Sequence, residues 1–184
     1  LMTNARTLGN IGRNADLEDG GGGLTLISSD TITTAVGAVD ITLPAAYTRF
    51  RLIVQDLTYV STGSYCFATI SLDGGTTFES TLYATRVDVW PTGIVAPYPT
   101  DGMIVCNNNL GTNPVHSIID IVNTASQFAL NGNSMLIIPG SFAMRQKSMG
   151  WRQTASKADV LRLKDFSNNM TAGTFSLYGY KETV

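Results

Sequence analysis

The chain has 184 residues, of which only 14% are charged, and its formal net charge at pH 7 is -2. This length fits one domain with a buried core, whereas a charged fraction of about 25% is typical of globular proteins. The neutral composition argues against the basic surface that nucleic acids or anionic membranes require.

Two cysteines and short apolar runs favour a soluble protein made in a cytoplasm. Cys66 and Cys106 lie within apolar runs, which predicts buried free thiols. A disulfide between them is the alternative, and it would need an oxidising compartment. Runs such as Met135–Ile138 are too short to cross a bilayer.

The first 23 residues, LMTNARTLGNIGRNADLEDGGGG, differ from the rest of the chain. They are polar, show no sustained period and end in four glycines, so alone they bury too little apolar surface to offset their ordering entropy. We therefore predict an extended N-terminal assembly arm over residues 1–23; the alternative is an arm packed on its own domain. The expected partner contacts of the arm are Asn4, Arg6, Leu8, Ile11 and Arg13.

Beyond residue 23, short runs of β-branched and aromatic residues alternate with clusters of Gly, Asn, Pro and Ser. The pattern predicts an all-β fold, an antiparallel β-sandwich over residues 24–184. No stretch has a convincing helical period; Ala155–Leu163 comes closest. In the closing strand, Phe175 and Leu177 should share one face because side chains alternate along a strand. The expected strands are 24–27, 31–34, 39–43, 50–60, 65–72, 80–90, 103–106, 117–122, 135–138, 142–147, 160–166 and 174–180.

The stretch Arg49–Phe78 organises the chain, and its last eight residues, SLDGGTTF, resemble the Asp-box hairpin of sialidases and related β-proteins. In such a turn the side chain of Asp73 accepts hydrogen bonds from backbone N–H groups, and Phe78 packs beneath. Gly74 and Gly75 allow positive φ. The resemblance implies a structural turn, since a sialidase would carry several copies, an arginine cluster and a tyrosine nucleophile.

No catalytic or metal-binding constellation emerges from the remaining polar residues. His116 is the only histidine, and its neighbours supply no further ligands at a workable spacing. No activating motif surrounds a nucleophile, and the sequence predicts no cofactor and no enzyme activity. Glu79 and Asp88 are expected to face solvent. Carboxylates that could in principle form an acid pair are Asp56, Glu79, Asp88, Asp101 and Asp120.

The connection WPTGIVAPYPTDG, residues 90–102, combines three prolines with Trp and Tyr. Rigid aromatic segments are common at interfaces and give contact area at low entropic cost. We predict an interface loop with Trp90, Ile94 and Tyr98 in contact; a core cap by Trp90 and a sugar platform are the alternatives. Trp151 is expected in the core or at a subunit contact.

The runs RFRLIVQDL and GTFSLYGYK, the DGG turn and the opening TNARTLGNIG together resemble a group of tailed-bacteriophage virion proteins. The resemblance covers about a third of the chain, at both ends and in one central hairpin. It implies a jelly-roll-like β-sandwich assembled as a symmetric oligomer on the virion, after synthesis in the host cytoplasm.

Three functions follow as hypotheses. The first is a non-enzymatic virion subunit, a capsid decoration or cement protein that binds the major capsid protein or tail proteins and forms a homo-oligomer, expected to be a trimer. The second is a tail-fibre or receptor-binding module for carbohydrate, which predicts Trp90, Tyr98 or Tyr83 exposed in a groove. The third is a small glycosidase, which predicts two carboxylates facing each other at about 5–10 Å.

Overall fold

The predicted all-β class is confirmed, because the described residues form antiparallel sheets and contain no helix. No helix within these residues is therefore long and apolar enough to cross a membrane. Apart from Gly23, the predicted arm and its five contact residues lie outside the described part of the chain. The computed structural model describes residues 23–60, 64–81, 83–90, 93–95, 102–108, 113–137, 143–152, 156–165 and 169–181.

Twelve strands form in these segments. Their bounds, in chain order, are β1 Leu24–Ile32, β2 Ala38–Thr42, β3 Arg49–Tyr59, β4 Ser64–Ser71, β5 Tyr83–Trp90, β6 Gly93–Val95, β7 Met103–Asn108, β8 Val115–Asn123, β9 Phe128–Ile137, β10 Ala143–Arg152, β11 Val160–Asp165 and β12 Met170–Tyr180.

The strands form two sheets in a sandwich-like arrangement. The larger sheet has eight strands in the order β1-β12-β3-β8-β9-β10-β5-β6, and the smaller has four in the order β2-β11-β4-β7. The chain passes repeatedly between the sheets, since β2, β4, β7 and β11 of the smaller sheet are separated along the chain by strands of the larger one. Long-range pairing therefore holds the fold together.

The core lies between the sheets and is built from alternate side chains of each strand. In β3, Phe50, Leu52 and Val54 are no more than 2% exposed, while the residues between them are partly exposed. Phe175 and Leu177 of β12 are buried in the same core, which confirms their predicted common face.

Strand β7 of the smaller sheet approaches β9 and β10 of the larger sheet closely. The carbonyl of Val105 accepts hydrogen bonds from the hydroxyls of Ser134 at 3.0 Å and Ser148 at 3.3 Å. A Cβ at Gly132 would lie 2.7 Å from the Ser148 hydroxyl and 3.0 Å from the Val105 carbonyl. Small residues on the inner faces of β9 and β10 therefore let the two sheets come together at this end.

The turn after β4 has the predicted Asp-box geometry. The side chain of Asp73 accepts hydrogen bonds from the Thr77 backbone N–H at 2.9 Å and from the Ser71 hydroxyl at 2.7 Å. Gly74 and Gly75 have φ of 71° and 95°, a region that strongly favours glycine. The sequence was sufficient for the hydrogen bonds of Asp73 because Ser71 and Thr77 lie within four residues of it.

Phe78, at the end of this turn, is partly buried under an arginine of β11. The guanidinium carbon of Arg162 lies 3.5 Å from the ring centroid. Arg162 also donates two hydrogen bonds to the Asp40 carboxylate, at 2.6 and 2.7 Å, and these raise the pKa of Arg162. The aromatic residue thus joins the turn to the neighbouring strand.

Asp73→Asn is expected to lower the thermal unfolding midpoint slightly at neutral pH and to have a much smaller effect near pH 2. Hydrogen bonds from Ser71 and then Thr77 lower the pKa of Asp73 to about 2. Because this pKa lies below that of the unfolded chain, about 3.9, the carboxylate stabilises the fold above the unfolded pKa and loses that effect as pH falls through the folded pKa. Thermal unfolding of both proteins from pH 7 to pH 2 measures the difference between their unfolding midpoints. A difference that stays constant with pH would contradict this account.

The two cysteines occupy opposite positions on neighbouring strands. Cys66 of β4 is the register partner of Cys106 of β7. Cys66 is 1% exposed, in agreement with its predicted burial. The side chain of Cys106 lies outside the described part of the structure.

Candidate functional site

The outer face of the eight-stranded sheet, turned away from the core, carries most of the exposed apolar side chains. Among the described residues, eight large hydrophobic residues are exposed, and six of them lie on this face. Antiparallel sheets commonly present polar residues on a solvated face, and exposed apolar surface often marks interaction sites. The outer face is therefore the candidate functional surface. The six residues are Leu24, Leu26, Ile118, Met135, Met149 and Trp151.

A groove of about 460 Å³ crosses this face from β12 to β10. Tyr180 of β12 lines one end and Trp151 of β10 lines the other. Between them lie Val122 and Ala129, register partners on β8 and β9 whose short side chains leave the groove open. Four strand spacings of about 4.8 Å separate the two aromatic residues, so the groove is about 19 Å long.

A hydrogen-bonded cluster of charged and phenolic groups forms the Tyr180 end. Arg51 donates from Nε to Asp120 Oδ1 at 2.8 Å and from Nη2 to Oδ2 at 3.1 Å. The Tyr180 hydroxyl donates to the same Oδ1 at 3.2 Å. These bonds raise the pKa of Arg51, and burial followed by the charge of Asp120 raises the pKa of Tyr180.

The Arg51–Asp120 pair is 33% and 42% exposed, so its contribution to stability is about 0–1 kcal/mol. The bidentate geometry fixes the orientation of both groups. Remaining lone pairs of Asp120 and N–H groups of Arg51 face the groove that these residues line. Their main effect is thus to present oriented donors and acceptors to a ligand.

Arg49 adds a positive charge at this end. Its guanidinium carbon lies 5.1 Å from the centroid of the Tyr180 ring, and that of Arg51 lies 5.8 Å from it. Arg49 is exposed and forms no ion pair with any described residue. Since Arg51 and Asp120 neutralise each other, Arg49 is the one charge without a counter-charge among the described residues that line the groove.

The other end of the groove is apolar. Trp151 is 43% exposed, and Met149, two residues earlier on the same face of β10, is 51% exposed. The register partners of Trp151 are Ala129 and Ala84, whose methyl groups leave room beside the indole ring. Asn131, the partner of Met149 on β9, contributes an exposed amide to the groove.

The predicted interface loop contributes no described residue to this groove. Trp90 ends β5 and Ile94 lies in β6, but their side chains fall outside the described part of the structure. Tyr98 lies wholly outside it. The prediction of an interface at these three residues therefore stays a prediction.

Tyr83, offered above as an exposed groove residue, is buried, so that expectation was wrong. Its side chain is 2% exposed; its hydroxyl accepts a hydrogen bond from the Ile70 N–H at 3.0 Å and donates to the Glu79 carbonyl at 3.3 Å. Burial raises the pKa of Tyr83 to about 12. The phenol is a structural link between β4 and β5.

Among the described residues that line the groove, Asp120 is the only carboxylate, so they include no pair of facing acids. Glu79, expected to face solvent, instead forms an ion pair with Arg152 and is 26% exposed. Asp101 lies outside the described residues. Within those residues no group of three or more His, Cys, Asp or Glu side chains could hold a metal ion.

Asp120 and Trp151 were singled out separately from the sequence, but the groove itself was not predicted, because its residues come from five strands and the β8–β9 turn. One local signal was present in β10, where large residues alternate with small ones. Lys147, Met149 and Trp151 lie on the exposed face, while Ser148 and Gly150 face the core. A strand whose larger residues point outwards indicates a functional outer face.

No protein-family model matches the chain, and no curated protein matches it either.

Proposed function

We propose that this chain is a non-enzymatic structural protein of a tailed-bacteriophage virion, a capsid decoration or cement subunit. It binds the assembled particle through residues 1–23 and associates with copies of itself as a trimer. The likeness of its central hairpin and its two ends to phage virion proteins supports this proposal. The position of β1 at the edge of the described strands of the larger sheet is the structural observation that carries it.

Strand β1 is an edge strand well suited to pairing with another chain. It pairs with β12 on one side, and no described strand pairs with its other side. Native edges are commonly protected by lysine, proline or a covering loop. The nine residues of β1 include one charge, Asp30, and neither lysine nor proline. Leu24 and Leu26 are 40% and 55% exposed beside this edge.

The predicted arm ends where β1 begins. Gly23 directly precedes β1, and its carbonyl accepts a hydrogen bond from the Lys181 N–H at 3.2 Å. An arm held by a neighbouring subunit would place β1 at high effective concentration beside that neighbour. Binding only to the folded state stabilises a subunit by mass action.

The strand order supports a jelly-roll-like sandwich. The chain passes repeatedly between the two sheets. In the smaller sheet, β11, its last strand along the chain, lies beside β2, its first strand. Two Greek-key crossings of this kind characterise double-sheet jelly rolls. In this proposal β1 and β12 extend the larger sheet and present the assembly edge.

The test is co-sedimentation with purified virions of the source phage, combined with sedimentation velocity of the free protein. The full chain is expected to form trimers and to sediment with particles. Deletion of residues 1–22, which keeps the Gly23–Lys181 bond, should abolish particle binding. Leu24→Lys with Leu26→Lys should shift the trimer to monomer, because charge on an edge strand opposes pairing.

Leu72→Lys is the matched control, since Leu72 is 39% exposed and lies in the turn after β4, away from β1. This variant should behave as the full chain does. A monomeric full chain at all concentrations would overturn the assembly role of β1. Particle binding that survives the deletion would overturn the role of the arm.

The groove favours the second hypothesis, a receptor-binding module of a tail fibre. An aromatic side chain, oriented hydrogen-bonding groups and one free charge in a shallow site are features of ligand recognition. On this alternative the protein would reach the virion in the same way but would present Trp151 outwards.

A further inference from the structure

We propose that the groove on the outer face binds an oligosaccharide that carries a carboxylate, with Trp151 as the stacking surface and Arg49 as the carboxylate ligand. Such binding would be separate from a structural role in the virion and from the β1 contact. The size of the groove, the distribution of its polar groups and the unpaired Arg49 among its described residues support it.

The dimensions fit an extended chain of several rings. The groove encloses about 460 Å³ and runs across the strands, open along its length. Its length of about 19 Å, from four strand spacings, exceeds that of one sugar ring. The short side chains of Val122 and Ala129 leave the middle unobstructed, so an extended ligand can contact both ends at once.

The apolar end suits the C–H face of a sugar ring. Trp151 offers a large and rigid ring surface at low entropic cost. Its side chain is 43% exposed because its register partners on both sides, Ala129 and Ala84, are too small to cover the ring. Met149, two residues earlier on the same face of β10, extends this apolar surface.

The polar groups between the ends suit hydroxyl recognition. A sugar hydroxyl donates one hydrogen bond and accepts others, so it needs donors and acceptors close together. The Arg51–Asp120 pair presents a donor and an acceptor in fixed positions. The exposed side-chain amides of Asn131 and Gln127 each add a further donor and acceptor. A nucleic acid is disfavoured because it carries one negative charge per nucleotide, whereas the described groove residues offer a single unpaired cation, Arg49.

The free charge of Arg49 selects an acidic ligand. It has no acidic partner among the described residues, and the ring of Tyr180 holds its guanidinium at 5.1 Å. A planar guanidinium binds carboxylate in bidentate geometry. One carboxylate per binding unit would therefore complete the charge balance of the groove.

The experiment is an array in which each oligosaccharide containing uronic or sialic acid is paired with its carboxyl-reduced form. Titration calorimetry with the best acidic member then measures affinities for the full chain and three variants. Trp151→Ala should weaken binding of both members of a pair about tenfold or more. Arg49→Gln should weaken the acidic member about tenfold and leave the reduced one unchanged.

Lys147→Gln is the matched control, because Lys147 is an exposed cation on the same face outside the groove. It should leave both affinities unchanged, and all variants should keep the thermal midpoint of the full chain because the replaced residues are exposed. No binding to any array member at millimolar concentration would overturn the proposal. So would a Trp151→Ala variant that changes the oligomeric state and not saccharide affinity, since the face would then be an interface between copies.

Discussion

Arg152→Ala is expected to lower the free energy of unfolding by about 3–5 kcal/mol, the usual cost of breaking a buried ion pair from one side. Arg152 Nε and Nη2 each lie 2.5 Å from a different oxygen of the Glu79 carboxylate. The arginine side chain is only 8% exposed and that of Glu79 is 26% exposed. The variant would leave a partly buried carboxylate without its cation. Urea denaturation at pH 7 measures the change.

The loss should be large because Glu79 connects several elements. Its backbone N–H donates to the Ile70 carbonyl of β4, and its carbonyl accepts from the hydroxyl of Tyr83 in β5. The ion pair adds β10 to this junction between the two sheets. A disturbance at Arg152 therefore reaches strands of both sheets.

A double-mutant cycle isolates the pair. The cycle compares Arg152→Leu, Glu79→Leu and the double variant; the double variant should recover most of the stability lost in Arg152→Leu, because apolar replacement of both partners removes the unpaired charge. Arg86→Ala is the control, since the Arg86–Asp88 pair is 3.5 Å long and about half exposed; its cost should stay below about 1 kcal/mol. A cost for Arg152→Ala equal to that control would show that the pair is not effectively buried.

Glu79 shows why sequence reasoning placed the turn correctly and this residue incorrectly. The Asp73 turn depends on partners within a few positions, so its hydrogen bonds could be predicted from SLDGGTTF alone. The partner of Glu79 is 73 positions away. No local pattern reveals such a partner, and a glutamate without a visible partner is expected in solvent.

The all-β class was predictable because alternation is a local property, but strand lengths and sheet order were not. For β9 the prediction covered only residues 135–138, because Asn131, Gly132 and Asn133 were interpreted as a turn. In the structure these residues are paired with β8 on one side and β10 on the other. Ladder pairing on both sides overrides their low strand propensity.

The groove was unpredictable for the same reason. Arg51 and Asp120 are 69 positions apart, and only the pairing of β3 with β8 sets them side by side. From the sequence, Trp151 could lie in the core or on the surface. It lies on the outer face because Gly150, the residue before it, is on the inner face of β10. The register of strand pairing, and not the composition of any one strand, brings the residues of this site together.

Gly150→Val is expected to lower the free energy of unfolding by about 3 kcal/mol, at the upper end of the range for overpacked cores. A Cβ at Gly150 would lie 2.6 Å from both Cβ and Cγ of Met103, which is fully buried in β7. The side chain of Met103 can change rotamer, but its Cβ moves only with the backbone. The sheets must therefore separate, or β10 must shift, to admit the valine.

That shift should be visible at the groove as well as in stability. Trp151 follows Gly150 and points to the opposite face, so displacement of β10 changes the environment of its indole ring, which tryptophan fluorescence reports. Gly37→Val is the control: a Cβ there would lie 3.5 Å from Asn169 Oδ1, an ordinary contact, and Gly37 is exposed. Its cost should be within about 0.5 kcal/mol of zero. If Gly150→Val lowered the free energy of unfolding as little as Gly37→Val does, the close packing of β7 against β10 at Gly150 would not explain why Trp151 lies on the outer face.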